Sequence, residues 1–156
     1  MGYILAPYTK SRKRKAVQTP KFYFFDTGVV NSLLGRESIS EKTPAYGDLL
    51  EHLVFLELRA YLDYRRIRMP LSFWRSQLKH EVDFLIGDDI AIEVKAKARI
   101  GPTQLKGLRA FKEEAIASTY IVVSGEDQPY VTDDGIHVMP IAYFLSQLWD
   151  DKILNV

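Results

Sequence analysis

The chain has 156 residues, 47% of them hydrophobic and 26% charged, with a formal net charge of +1. These values suit one compact domain around a single core and exclude a polycation that binds nucleic acid over its whole surface. With no cysteines and only three scattered histidines (His52, His80 and His137), disulfides and thiolate or histidine-rich metal sites are excluded, so any metal site must be oxygen-rich. The apolar stretches are short and broken by charges, and the first residues lack the pattern of a signal peptide. No membrane association and a cytoplasmic location are therefore expected.

Residues 1–20 read as an extended or loop-like leading segment, punctuated by Pro7 and Pro20. The segment carries a basic run, Lys10, Arg12, Lys13, Arg14 and Lys15, whereas Glu113, Glu114, Glu126, Asp127, Asp133 and Asp134 make the later part acidic. A local basic cluster can neutralise phosphates even when the total charge is near zero; a solvated loop is the equal alternative. Residues 21–25 are aromatic and β-prone, and Asp26-Thr27-Gly28 opens a short helix near Val29–Leu34. Gly35 to Lys42 is polar and reads as a loop. Pro44 then suits a first helical turn, and Tyr46 to about Arg66 forms the longest helix, with Leu50, Leu53, Val54, Leu58, Tyr61 and Leu62 on one face.

The period then changes. Leu71–Gln77, Glu81–Ile86 and Ile90–Ala96 have strand-like patterns, with Gly87-Asp88-Asp89 as a hairpin connection. Pro102 begins a second helix through Gln104, Leu105, Leu108, Phe111 and Ala115. Thr119–Ser124 is a β-branched strand inside the sheet. Gln128–Asp134 is a polar connection, followed by a strand at Ile136–Met139 and a closing helix at Ile141–Trp149. The order is a mixed α/β layout.

The hairpin carries the sharpest inference. A three-residue loop at Gly87–Asp89 sets Ile86 against Ile90, and counting outward sets Asp83 against Glu93. Val82, Phe84, Ile86, Ile90, Ile92 and Val94 then share one apolar face. Glu81, Asp83, Leu85, Ala91, Glu93 and Lys95 share the other. Two opposed carboxylates repel unless a cation lies between them, which a hard divalent ion with oxygen ligands would supply. A solvated face with ordinary ion pairs is the plainer alternative. Glu51 stands near the start of the long helix on a largely apolar stripe, where it either wants a partner or complements the helix dipole. Gln104 could orient a water or a phosphate, or be a plain surface glutamine.

Glu51, then Glu81-Val-Asp83-Phe-Leu-Ile, then Ile-Glu93-Val-Lys95, in a helix–strand–strand–strand–helix–strand order, resemble the PD-(D/E)XK nuclease superfamily. More narrowly, Lys21-Phe-Tyr-Phe-Phe-Asp-Thr-Gly28, Gly47-Asp-Leu-Leu-Glu51, Phe73-Trp-Arg75 and Glu81-Val-Asp-Phe84 resemble the carboxy-terminal domain of prokaryotic AAA+-type ATPases, the domain of unknown function 4143 family. That resemblance runs from about Tyr3 to Leu148. It implies a restriction-endonuclease-like fold over residues 21–156, a central mixed sheet flanked by helices, with residues 1–20 as a leading segment, in one reading the remnant of an upstream winged helix.

By resemblance, Asp83 and Glu93 match metal ligands, joined by the carbonyl of Val94, with Glu51 completing the shell of Mg²⁺ or Mn²⁺. Lys95 matches the lysine that positions the attacking water, and Gln104 a glutamine found after the motif in some members. The proline that often precedes the aspartate is replaced by Val82. DNA is the expected substrate, with Lys10, Arg12, Lys13, Arg14, Lys15, Lys79, Lys97 and Arg99 as candidate phosphate contacts. The chain has no Gly-x-x-x-x-Gly-Lys-Ser/Thr loop, so no nucleotide site is expected; an ATPase domain or subunit outside this chain is the expected partner. The rival is a non-catalytic module of the same fold that binds DNA or a protein and regulates an ATPase.

Overall fold

The computed structural model describes residues 1–35, 40 and 43–154. Most of the loop expected from Gly35 to Lys42 lies outside the described residues. The elements are β1 (Gly2–Pro7), β2 (Lys21–Phe24), α1 (Thr27–Leu33), α2 (Pro44–Tyr64), β3 (Leu71–Arg75), β4 (Glu81–Ile86), β5 (Ile90–Lys95), α3 (Lys106–Lys112), β6 (Thr119–Ser124), β7 (Tyr130–Val131), β8 (His137–Pro140) and α4 (Ile141–Trp149). Among the described residues the strands form one mixed sheet in the order β2-β1-β3-β4-β5-β6-β8-β7. The leading segment thus contributes β1, which pairs antiparallel with β2 and parallel with β3.

Local chemistry explains the main elements. Asp26 caps α1 by accepting the Val29 N–H at 3.0 Å. Pro44 occupies the first turn of α2, where its missing N–H costs nothing. The apolar stripe of α2 buries Leu50, Val54, Phe55, Leu58, Tyr61 and Leu62 in one core with Phe84, Ile86, Ile92 and Ile121 of the sheet. On the opposite face Leu105, Leu108 and Phe111 pack with Trp74, Leu85, Ala91, Tyr120 and Val122 in a second core. Covered on both sides, β4, β5 and β6 are buried along nearly their whole lengths, which is why they read as almost continuous apolar runs. Neither face of the hairpin is solvated.

Two expectations need correction. The helix expected from Pro102 starts at Lys106, because Gln104 folds back to accept the Gly101 N–H at 3.0 Å and holds residues 101–104 in a turn. Gln104 therefore stands in that turn, ahead of the helix.

The second concerns the hairpin. Its register is the expected one, with Ile86↔Ile90, Leu85↔Ala91 and Phe84↔Ile92 paired. On the other edge of β4 the pairing goes from Ser72↔Leu85 to Trp74↔Val82, so β3 advances two residues while β4 advances three. That extra residue is a β-bulge at Asp83–Phe84, and it reverses the alternation beyond it. Val82 consequently packs in the α3 core, apart from Phe84. Asp83 and Glu81 are turned toward the α2 side and do not share a face with Leu85, Ala91, Glu93 and Lys95, so the expected face-sharing of Asp83 and Glu93 is not formed.

Candidate active site

Four acids and three cationic side chains gather where β4 and β5 part. Asp83 lies at the bulge, its Oδ2 accepting the backbone N–H of Val94 at 2.8 Å. The aspartate thus takes a bond that a regular ladder would give to β4 backbone, and it lies close to the plane of the sheet. It is only 7% exposed. Burial raises its pKa first, and the charges of Glu51 and Glu93 add to this against the pull of Lys21, so the carboxyl is pushed up to about 8. Glu93 comes from the α3 side. Its Oε1 pairs with Lys95 Nζ at 2.6 Å. Among the described residues its buried Oε2 has no hydrogen-bond partner, although the Leu108 amide points toward it. Burial raises the Glu93 pKa, opposed by Lys95.

Lys95 ties the two sides together. Burial disfavours its ammonium, but Glu93, Asp83 and Glu51 together raise its pKa above the ordinary lysine value. Glu51 projects from the second turn of α2, its Oε1 accepting from Tyr23 Oη at 2.5 Å and pairing with Lys21 Nζ at 3.1 Å. Lys21 also approaches Glu81 Oε1 at 2.6 Å and Asp83 Oδ1 at 3.9 Å. Arg75 grips Glu81 through two bonds of 3.0 and 2.9 Å. Glu51, Asp83, Glu93 and Lys95 therefore act on one another electrostatically, as one site. Even so, among the described residues no three His, Asp or Glu side chains converge tightly enough to hold a metal ion by themselves.

Gly107 permits this closeness. A Cβ there would lie 1.9 Å from the Glu81 carbonyl oxygen and 2.8 Å from Glu93 Oε2, so only glycine lets α3 descend onto the fork.

A cleft of about 1050 Å³ opens beside the acids, between the start of α2 and the loop after β5. Glu51, Val94, Lys95, Lys97 and Gln104 line it. Arg99 is exposed on the same loop as Lys97, whereas Lys79 is exposed on the β3–β4 turn, which bonds to the leading segment through Gln77 and Lys15. The leading basic run is elsewhere. Lys10 pairs with Asp88 at the hairpin tip, away from the fork, and Arg14 pairs with Glu113 beyond the end of α3. The backbone N–H groups of Arg12 and Lys13 both donate to the buried Glu114, and the Lys15 carbonyl accepts from Gln77. This segment is pinned down, with the side chains of Arg12, Lys13 and Lys15 left exposed.

Sequence reasoning missed Lys21, Tyr23, Arg75 and Glu81 as site residues. The signal was present for two of them, since Lys21 and Tyr23 stand two apart on a strand and so share a face.

The profile of a domain of unknown function, DUF4143, matches residues 46–144. Two relatives are each 27% identical over 96% of this chain, "Uncharacterized protein Mb2031c" of Mycobacterium bovis and "Uncharacterized protein Rv2008c" of Mycobacterium tuberculosis. The chain spans about a third (34%) of the length of these curated relatives. No solved structure matches it.

Proposed function

The chain belongs to the DUF4143 family, and from its own site we propose that it is a divalent-metal-dependent phosphodiesterase of nuclease type, with a restriction-endonuclease-like layout and DNA as substrate. The observation that carries this reading is the pair of buried carboxylates, Asp83 and Glu93, that repel each other beside a cleft lined by Glu51, Lys95 and Gln104.

The residues fit Mg²⁺ or Mn²⁺. An orphaned Glu93 Oε2 and an Asp83 that holds its proton near neutral pH both register a missing positive charge. Asp83, Glu93 and the Val94 carbonyl would hold the ion, with Glu51 reaching it through water. When bound, such an ion lowers the pKa of a water and offsets charge on a phosphodiester.

The rest falls to the chain's own groups. Lys95 is kept protonated by three acids and faces the cleft, so it can donate to a phosphate oxygen and steady the charge that develops there. Tyr23 and Lys21 fix the Glu51 carboxylate. Gln104 stiffens the 101–104 turn on the cleft wall. Lys97 on the cleft, with Arg99 on the same loop, would contact the DNA backbone without reading sequence. An ATPase domain or subunit is the proposed partner.

One observation favours a second reading. Lys21 already supplies a cation to Glu51, Glu81 and Asp83, as expected of a non-catalytic module that binds DNA or a protein and regulates an associated ATPase. Nicking of supercoiled plasmid and branched DNA in Mg²⁺ or Mn²⁺ decides between them. The catalytic reading expects cleavage that Asp83→Ala and Lys95→Ala abolish; DNA binding without cleavage supports the module.

A further inference from the structure

Fixing Glu51 uses only part of the reach of Lys21. Lys21 begins β2, the edge strand of the sheet among the described residues, yet its side chain is only 17% exposed. Its ammonium reaches three carboxylates from two elements: Glu51 of α2 at 3.1 Å, and Glu81 and Asp83 of β4 at 2.6 and 3.9 Å. The Phe73 ring lies 5.2 Å from the nitrogen, and Arg75 draws Glu81 from its other side. Burying a lysine this far costs free energy unless its charge is matched, and here it is matched more than once.

Two-metal phosphodiesterases place their ions roughly 3.5–4 Å apart, each neutralising shared carboxylates. In this chain the acids divide by side. Glu93 and Lys95 lie toward α3, whereas Glu51, Glu81 and the Oδ1 of Asp83 lie toward Lys21. Asp83 is common to both groups. We propose that Lys21 is a built-in counter-cation that takes the place of a second divalent ion, restricting the site to one metal held between Asp83 and Glu93. This rests on the metal-dependent reading of the site and adds its stoichiometry. Lys21 is then a positioning residue: it ties Glu51 and Asp83 to β2 without contacting the scissile phosphate.

The test is calorimetric titration of Mn²⁺ into the wild-type chain, Lys21→Met and Lys21→Arg. Expected are one ion per chain for the wild type and Lys21→Arg, and two for Lys21→Met, whose uncharged side chain leaves Glu51 and Asp83 without their shared cation and able to take another ion. A Lys21→Met variant that binds no more Mn²⁺ than the wild type overturns the proposal, as does a wild type that binds two. Should Lys21→Met be unfolded without metal, its thermal melt is followed with rising Mn²⁺. Recovery of a cooperative transition upholds the counter-cation role, and no recovery overturns it. A wild type that binds no Mn²⁺ removes the nuclease proposal instead, while Lys21→Met gaining one ion would still uphold the role of Lys21.

Discussion

Replacing Asp83 by Asn should make the metal-free protein more stable, and increasingly so as pH rises. Asn keeps an oxygen to accept the Val94 N–H but carries no charge into a pocket where burial, Glu51 and Glu93 oppose one. The sign follows from linkage. The folded-state pKa of about 8 lies above the ordinary value of 3.8, so between those limits the unfolded chain releases a proton that the native chain retains. Stability due to Asp83 is complete below about pH 4, falls as pH rises, and levels off above about pH 8. The slope is at most ~1.4 kcal/mol per pH unit, which sets a ceiling of about 4 kcal/mol by pH 7. For a chain of this size that corresponds to a Tm gap of roughly 16 °C at most. Melts of both proteins in chelator from pH 4 to pH 8 measure it, with the gap opening upward. Mn²⁺ should then raise the Tm of the wild type and leave Asp83→Asn unmoved. A gap that is absent, or independent of pH, refutes the reasoning.

Gly107→Ala should cost about 1–3 kcal/mol by forcing α3 away from the Glu81 carbonyl, seen as a lower urea midpoint, and it should weaken Mn²⁺ binding because Glu93 moves with it. Glu114→Ala strands the N–H groups of Arg12 and Lys13 that the buried carboxylate accepts and leaves Arg14 without one of its two acids. A loss of about 3 kcal/mol is expected, together with faster tryptic cleavage within residues 12–15. Lys97→Ala, on the cleft, should weaken DNA binding for all sequences alike and lower the salt slope by about one. Equal change for Lys10→Ala, held at the hairpin tip by Asp88, would argue against the cleft as the DNA path.

Much of the frame was legible because it depends on local pattern. The Gly87-Asp88-Asp89 turn set the hairpin register, and the apolar stripe of α2 named five of the residues that fill one core, with Leu53 packed against it. Thr119–Ser124 and Ile141–Trp149 have the expected bounds for the same reason. The bulge at Asp83–Phe84 was not legible, since it arises from pairing with β3, more than ten residues earlier in the chain. That pairing turned Glu81 and Asp83 toward Lys21. The start of α3 was also misplaced, because a side-chain bond from Gln104 outcompeted helix propensity at Pro102. The link from Lys21 to Glu51 spans 30 positions and required the sheet order, as Lys21 alone reads as an ordinary charged strand end.

The most direct measurement is an anomalous difference map from crystals of the chain soaked in Mn²⁺. The account predicts one strong peak bridging Asp83 and Glu93, about 2.0–2.3 Å from their oxygens and the Val94 carbonyl. Metal bound only at surface acids, with Asp83 still hydrogen-bonded solely to Val94 and Glu93 Oε2 still unpartnered, would contradict it.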